Sequence, residues 1–156
     1  MMKNITGYLS VLVSFLLTVA AGNAVAAAQP SESERDAIFK AAGFTAKGGQ
    51  YIRCEEDPPT MSYMAGSIEL ADLNSDGKSE AWVKESSLFC YGHTAEFFVL
   101  LTQNENGAWV RLLESVGVPM VQAGQRNGWP EIEVGGPGSG PFPVYYFDGK
   151  QYVQGR

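Results

Sequence analysis

A nine-residue segment near the middle of the chain carries carboxylate and amide oxygens at a regular spacing. It reads DLNSDGKSE over Asp72–Glu80, with these oxygens at positions 1, 3, 5 and 9 and glycine at position 6. Ca²⁺ takes six to eight hard oxygen ligands on a flexible backbone, and the glycine permits a sharp turn. We therefore expect a calcium site, with a loop of turn-favouring residues as the alternative. The predicted ligands are Asp72, Asn74, Asp76, the backbone carbonyl of Lys78, and Glu80.

The pattern of this loop distinguishes it from an EF-hand. An EF-hand requires a bidentate Glu at position 12, and Val83 stands there instead. The flanking Ile68–Leu70 and Trp82-Val83 have strand character. The motif D-x-N-x-D-G-x-x-E between strands resembles the calcium loops of the FG-GAP and VCBS families over about a dozen residues. This resemblance implies a strand-loop-strand calcium site that holds two strands together, and it implies no particular activity.

The N-terminal segment has the pattern of a secretory signal peptide. Lys3 precedes an apolar run at residues 11–21, and small-x-small motifs end at Ala26 and Ala28. We expect cleavage after Ala28, or alternatively after Ala26, with an uncleaved N-terminal anchor as a further alternative. The predicted domains are a signal peptide at 1–28 and a single mature domain at 29–156, which would be periplasmic or secreted. The apolar run falls short of the roughly 20 residues that a membrane span needs.

The charge balance bears on the class of partner. The chain has 11 basic and 17 acidic residues, and loss of Lys3 would leave 10 against 17, a net charge of −7. An acidic domain repels phosphate backbones and anionic membrane surfaces. The composition therefore argues against nucleic acid or an anionic membrane surface as the partner.

The two cysteines, Cys54 and Cys90, are expected to pair. An oxidising compartment favours a disulfide, which would close a loop of about 37 residues and stabilise the fold by about 4 kcal/mol. Two buried free thiols, or one thiol that awaits another partner, are the alternatives. The pair forms no C-x-x-C redox motif, and His93 is the one other soft ligand available for zinc.

The remaining sequence predicts a mostly β single domain of antiparallel strands and hairpins with one short N-terminal helix. The helix is expected over Ser31–Ala42, with Gly43 as its stop. Turn residues recur every 8 to 12 positions, the spacing typical of an all-β domain, and no segment repeats convincingly. The predicted strands are Gln50–Cys54, Gly66–Ala71, Ala81–Glu85, Glu96–Gln103, Ala108–Glu114, Val118–Gln122, Glu131–Val134, Val144–Phe147 and Gln151–Gln154.

Candidate catalytic residues are few, and we predict a protein that is not an enzyme. His93 is the single histidine, and no G-x-S-x-G motif is present. Glu131 and Glu133 flank Ile132 and would share a strand face, as a carboxylate pair for hydrolysis could. Acidic surface is the default explanation for them in a protein of this charge. A small cell-wall hydrolase that uses these glutamates or His93 is the competing interpretation.

The loop at Gly135–Pro141 (GGPGSGP) predicts a binding function. Its prolines stiffen it, which lowers the entropy lost on insertion into a partner. The triplet Gly138-Ser139-Gly140 resembles the protruding loops of periplasmic lysozyme inhibitors and of immunity proteins against cell-wall hydrolases. The G-W-P-E-I segment before this loop and the F-D-G-x-x-Y segment after it resemble small exported calcium-loop domains of bacterial envelopes. The resemblance of the triplet implies an inhibitor or immunity protein. An inert surface loop is the alternative for this segment, and a purely structural envelope domain is the alternative for the protein.

Overall fold

The computed structural model describes residues 29–56, 58–94, 96–137 and 140–155, so the predicted signal peptide at 1–28 lies outside the described residues. Within these ranges the protein is mostly β, as predicted, with ten strands in three antiparallel sheets and two α-helices. The elements are α1 (Glu32–Ala42), β1 (Thr45–Lys47), β2 (Gln50–Ile52), β3 (Met64–Ala71), β4 (Glu80–Ser86), α2 (Leu88–Tyr91), a 3-10 turn (Gly92–Thr94), β5 (Glu96–Gln103), β6 (Trp109–Val116), β7 (Val118–Arg126), β8 (Trp129–Gly135), β9 (Val144–Phe147) and β10 (Tyr152–Gln154).

Helix α1 begins and ends where its capping residues predict. The Ser31 hydroxyl accepts the Glu34 backbone N–H at 3.3 Å. Gly43 ends the helix at φ 82°, in the left-handed region that glycine adopts without steric cost. The apolar stripe of the helix, which includes the buried Ile38 and Phe39, packs against the sheet formed by β3, β4, β5 and β6. The helix is therefore docked on the domain and carries no candidate site residue.

The sheet β3-β4-β5-β6 is covered on both faces. Alternate residues of its central strands enter two separate cores, so Phe97 and Val99 face α1 while Phe98 and Leu100 face the other way. The second core lies between this sheet and the sheet of β7 to β10, which contributes Trp129 and Ile132 among others. Burial on both faces explains why β5 is a continuous apolar run and does not alternate.

The two four-stranded sheets have the same topology. Each is an antiparallel meander whose strands pair in chain order, β3 to β6 in one sheet and β7 to β10 in the other. Sequence inspection finds no repeat because the equivalent connections differ in length. The β3–β4 connection is the eight residues Asp72–Ser79 of the motif, whereas the β7–β8 connection is the two-residue turn Asn127-Gly128. The repetition is thus one of topology without sequence similarity.

The meanders place the connections at two opposite ends. The Asp72–Glu80 loop, Asn127-Gly128 and the β9–β10 turn at 148–151 lie at one end, called here the loop end. The β2–β3 connection, the β4–β5 connection and the β8–β9 connection lie at the other, called the disulfide end. Gly117 joins the sheets there with φ 149°, and its N–H donates to the Glu96 carbonyl at 3.0 Å. In the described ranges no helix is long and apolar enough to cross a membrane.

Candidate functional site

The Asp72–Glu80 loop is folded by hydrogen bonds from its own backbone to its acidic and amide side chains. The Asp72 carboxylate accepts the Gly77 N–H at 3.0 Å, and the Asn74 amide oxygen accepts the Asp76 N–H at 2.9 Å. Asp76 in turn accepts the Lys78 N–H at 2.8 Å. Left-handed backbone at Ser75 and at Gly77 (φ 62° and 84°) produces the tight curve that the sequence predicts.

Glu80 anchors the loop to the sheet. It is the first residue of β4 and is fully buried, whereas Asp72 and Asp76 are exposed. Its carboxylate accepts the Leu73 N–H at 2.8 Å and the Thr102 hydroxyl at 3.0 Å. Thr102 lies on β5, so this carboxylate joins both ends of the loop to the neighbouring strand. Sequence analysis missed Thr102, because nothing in the local pattern indicates which β5 residue would face Glu80.

Negative charge accumulates at the loop without a compensating ion pair. Burial raises the pKa of Glu80, and the charges of Asp76 and Asp72 raise that pKa further, against the opposing effect of the two hydrogen bonds. Each ion pair in the described part of the chain lies elsewhere, and none reaches the loop. Those pairs are Arg53–Glu114, Lys84–Glu69 and Arg111–Glu114. A bound cation would therefore relieve repulsion at this loop.

The donor chemistry fits Ca²⁺, although the carboxylates are not drawn together. All five predicted ligands offer hard oxygen, and each carboxylate oxygen retains a lone pair beyond its present hydrogen bond. Across residues 29–155, apart from those the structure leaves undescribed, no three His, Cys, Asp or Glu side chains converge closely enough to hold a metal. The bonds from Leu73 and Thr102 hold Glu80 toward the sheet, so ligation would require the exposed carboxylates to close on it.

A disulfide joins Cys54 to Cys90 at the opposite end, as the sequence predicts, with a Cα–Cα distance of 6.0 Å. Beside it lies a buried carboxylate, Glu85, which sequence analysis left among ordinary strand residues. Glu85 accepts the Arg53 and Cys54 backbone N–H groups, both at 2.9 Å, and the Tyr63 hydroxyl at 3.2 Å. The Tyr91 hydroxyl also donates to it. One carboxylate thus ties together the β2–β3 connection, β4 and α2.

The candidate catalytic residues are not assembled into one constellation. His93 is exposed in the 3-10 turn, and no hydrogen bond joins it to another side chain among the described residues. Glu131 and Glu133 lie half-buried on one face of β8, opposite the fully buried Ile132, as their spacing predicts. Glu131 rests over Gly124, where an added Cβ would lie 2.9 Å from its carboxylate oxygen.

The Gly- and Pro-rich loop lies next to the disulfide segment. Gly135 belongs to β8 and is buried, so the predicted bounds 135–141 shift to a connection at 136–143. A Cβ placed on Gly136 would lie 3.9 Å from the Thr94 hydroxyl oxygen. The connection borders an open cleft of about 360 Å³ with Val116 and Phe142 in its lining. Of the predicted partner-binding residues, Gly140 is exposed, and Gly138 and Ser139 lie outside the described residues.

Comparison with known proteins returns no relative. The chain matches no protein-family model, no curated protein and no solved structure. Its functional assignment rests on the fold and on the geometry of the two ends.

Proposed function

We propose that this protein is a non-catalytic binding protein of the cell envelope that acts as an inhibitor or immunity protein against a peptidoglycan hydrolase. The observation that carries the proposal is the proximity of the Gly- and Pro-rich connection to the disulfide-held segment, where a Cβ placed on Gly136 would lie 3.9 Å from the Thr94 hydroxyl oxygen. The connection itself borders an open cleft of about 360 Å³ at this end of the domain. Rigid protruding loops lose little entropy on binding, which suits insertion into a partner's cleft.

The proposed location outside the cytoplasm is supported by two independent features. The N-terminal 28 residues have the composition of a signal peptide. The Cys54–Cys90 disulfide requires an oxidising compartment to persist. A peptidoglycan hydrolase is met in the same compartment, and a basic hydrolase would be attracted by the acidic mature chain.

The loop at Asp72–Glu80 is proposed to bind Ca²⁺ as a structural ion. Support comes from its oxygen donors and from the uncompensated charge around the buried Glu80. Calcium held there would fix the β3–β4 connection at the end of the molecule opposite the proposed interface. We therefore expect calcium to stabilise the fold without touching the partner.

Thermal unfolding with and without calcium tests this site. If the folded state alone binds the ion, calcium at 100 times its Kd adds about 2.7 kcal/mol to the free energy of unfolding, and EGTA removes the gain. Asp76→Asn should abolish it. Asp148→Asn is the matched control, because Asp148 is an exposed turn residue at the same end whose carboxylate also accepts backbone N–H groups. An unchanged melting temperature in EGTA, with no heat of calcium binding, would contradict the site.

Binding to a hydrolase is tested with purified components. A basic lysozyme, titrated calorimetrically into the mature protein, is expected to bind with one-to-one stoichiometry. Changing Ser139 to a bulky residue should weaken the complex, whereas the same change at Ser33, an exposed serine of α1 outside the cleft, should leave it unchanged. Absence of binding to lysozymes and to hydrolases from envelope extract or rival-species supernatants would refute the proposal.

A second candidate function is favoured by one observation, the shared face of Glu131 and Glu133. Two carboxylates on one strand face are the groups that glycoside hydrolysis uses. Peptidoglycan hydrolysis by the purified protein that survives His93→Ala and disappears with Glu131→Gln would establish this function in place of inhibition.

A further inference from the structure

Four large apolar side chains are exposed together at the disulfide end. Met61 is fully exposed, and Met64, Leu88 and Phe89 are 65%, 51% and 74% exposed. Met64 pairs with Ser86 across β3 and β4, and the Leu88 N–H donates to the Ser62 hydroxyl at 3.1 Å, so these residues belong to one region. Contiguous exposed apolar side chains of this kind mark interaction surfaces. We call the four side chains the apolar patch.

The segment that presents Phe89 is fixed from both sides. Ser87 caps the short helix by accepting the Cys90 N–H at 3.1 Å and donates to Glu56 at 2.6 Å. Cys90 is bonded to Cys54, and the next residue, Tyr91, donates to the buried Glu85. An aromatic side chain on a braced backbone has little conformational freedom to lose on binding. Phe89 therefore has the properties of an interface anchor, a role in which aromatic residues are enriched.

The surroundings of the patch are acidic. Residues 54–77 and 85–110 contain no Lys or Arg. The adjoining cleft is lined by two acidic residues, Glu55 and Glu56, and Cys54 and Tyr63 also line it. Lys47 is the one described cation in that lining. The Ser87 hydroxyl bond lowers the pKa of Glu56, which keeps its charge beside the patch. An acidic rim around apolar side chains complements a basic rim around an apolar cleft, and it repels anionic lipid surfaces.

We infer that the apolar patch is the anchor of the partner interface, and that its occupant is a protein with a basic surface around an apolar cleft. Phe89 fills the cleft, Met61, Met64 and Leu88 surround it, and Glu55 and Glu56 face the basic rim. Methionine side chains adapt to an irregular partner surface. The patch and the β8–β9 connection lie at the same end of the sheets, so one partner can contact both.

The test compares Phe89→Ser and Met64→Ser with Val121→Ser. Val121 is 51% exposed on β7 outside the patch, so it matches the polarity change without altering the interface. The probe is a purified basic lysozyme, and its binding to the mature protein is measured by calorimetry. The choice of this probe rests on the proposed function. Phe89→Ser is expected to weaken binding roughly 30-fold, the loss typical of an interface anchor. Met64→Ser should weaken binding less, and Val121→Ser should leave the affinity unchanged. Added salt should lower the affinity of the wild-type protein.

The outcomes separate this inference from the proposed function. Lysozyme binding that Phe89→Ser leaves intact would overturn the patch and leave the inhibitor function standing. If the wild-type protein binds no lysozyme, a benzophenone amino acid at position 89 decides the patch in the intact envelope. Cross-links from position 89 but not 121 to a basic protein, identified by mass spectrometry, would support it. No cross-link, or a cross-link to a second copy of this chain, would overturn it.

Discussion

Removal of the Glu85 carboxylate should be among the most destabilising single changes in this protein. Glu85 is 1% exposed and accepts four hydrogen bonds, from two backbone N–H groups and from the hydroxyls of Tyr63 and Tyr91. In Glu85→Ala each donor loses its acceptor in a buried or part-buried position. The cost of an unsatisfied buried donor is about 1–3 kcal/mol.

The expected loss in the free energy of unfolding is the sum over these four donors. Two orphaned backbone N–H groups contribute about 1.5 kcal/mol each, and the two hydroxyls, which can rotate, contribute about 1 kcal/mol each. The total of about 5 kcal/mol corresponds to a fall of about 15–20 °C in melting temperature for a domain of this size. Glu85→Gln keeps one acceptor but turns an amide N–H toward a donor, so about 2 kcal/mol is expected. Tyr63→Phe deletes one 3.2 Å bond and should cost about 1 kcal/mol.

Urea unfolding followed by tryptophan fluorescence measures these differences at equilibrium. The predicted order of destabilisation is Glu85→Ala, then Glu85→Gln, then Tyr63→Phe. The two milder variants supply the comparison if Glu85→Ala does not fold. A Glu85→Ala protein within about 1 kcal/mol of wild type would show that this carboxylate does not hold the disulfide end together, and would refute the reasoning.

Three further predictions concern stability. Gly117→Ala should cost about 2–4 kcal/mol in urea unfolding, because its Cβ would lie 2.6 Å from a backbone carbonyl oxygen of β8, whereas Gly128→Ala, at a positive φ in open space, should cost about 1 kcal/mol. Burial, and then the charge of the neighbouring carboxylate, raises the pKa of Tyr63 from 10.0 to about 12. The tyrosine hydroxyl therefore loses its proton at lower pH in the unfolded chain than in the folded protein, and the free energy of unfolding should fall between about pH 10 and 12. The fall should be less steep in Tyr63→Phe, and equal slopes would contradict this. Replacing Cys54 and Cys90 by serine should cost about 4 kcal/mol and lower the melting temperature, and an unchanged value would show that the loop closure adds nothing.

Sequence patterns predicted most of the elements because their signals are local. The apolar run at 96–103 and the turn residues at 104–107 and 148–149 mark strands and hairpins that the structure contains at those positions. Gly43 ended the helix where expected because a left-handed residue is required there. The short strand β1 and helix α2 were missed because three or four residues carry too little periodicity to detect.

The tertiary parts of the two ends could not be predicted in this way. Glu85 and Glu80 resemble surface glutamates in sequence, and four of the six groups that donate to their carboxylates lie 22 to 32 residues away along the chain. The neighbourhood of Thr94 and Gly136 likewise results from how the two sheets are joined. In contrast, the Cys54–Cys90 pair was predictable because an even count of two leaves a single pairing.

Titration of hydrolase activity tests the proposed function most directly. A basic peptidoglycan hydrolase is mixed with increasing amounts of the mature protein in about 1 mM calcium, a concentration typical of extracellular calcium sites, and the clearing of a peptidoglycan suspension is followed. We predict a linear fall in activity that reaches zero at one equivalent, with Phe89→Ser shifting the curve to higher protein concentrations. Full hydrolase activity in the presence of excess protein, or clearing by the protein alone, would contradict the account.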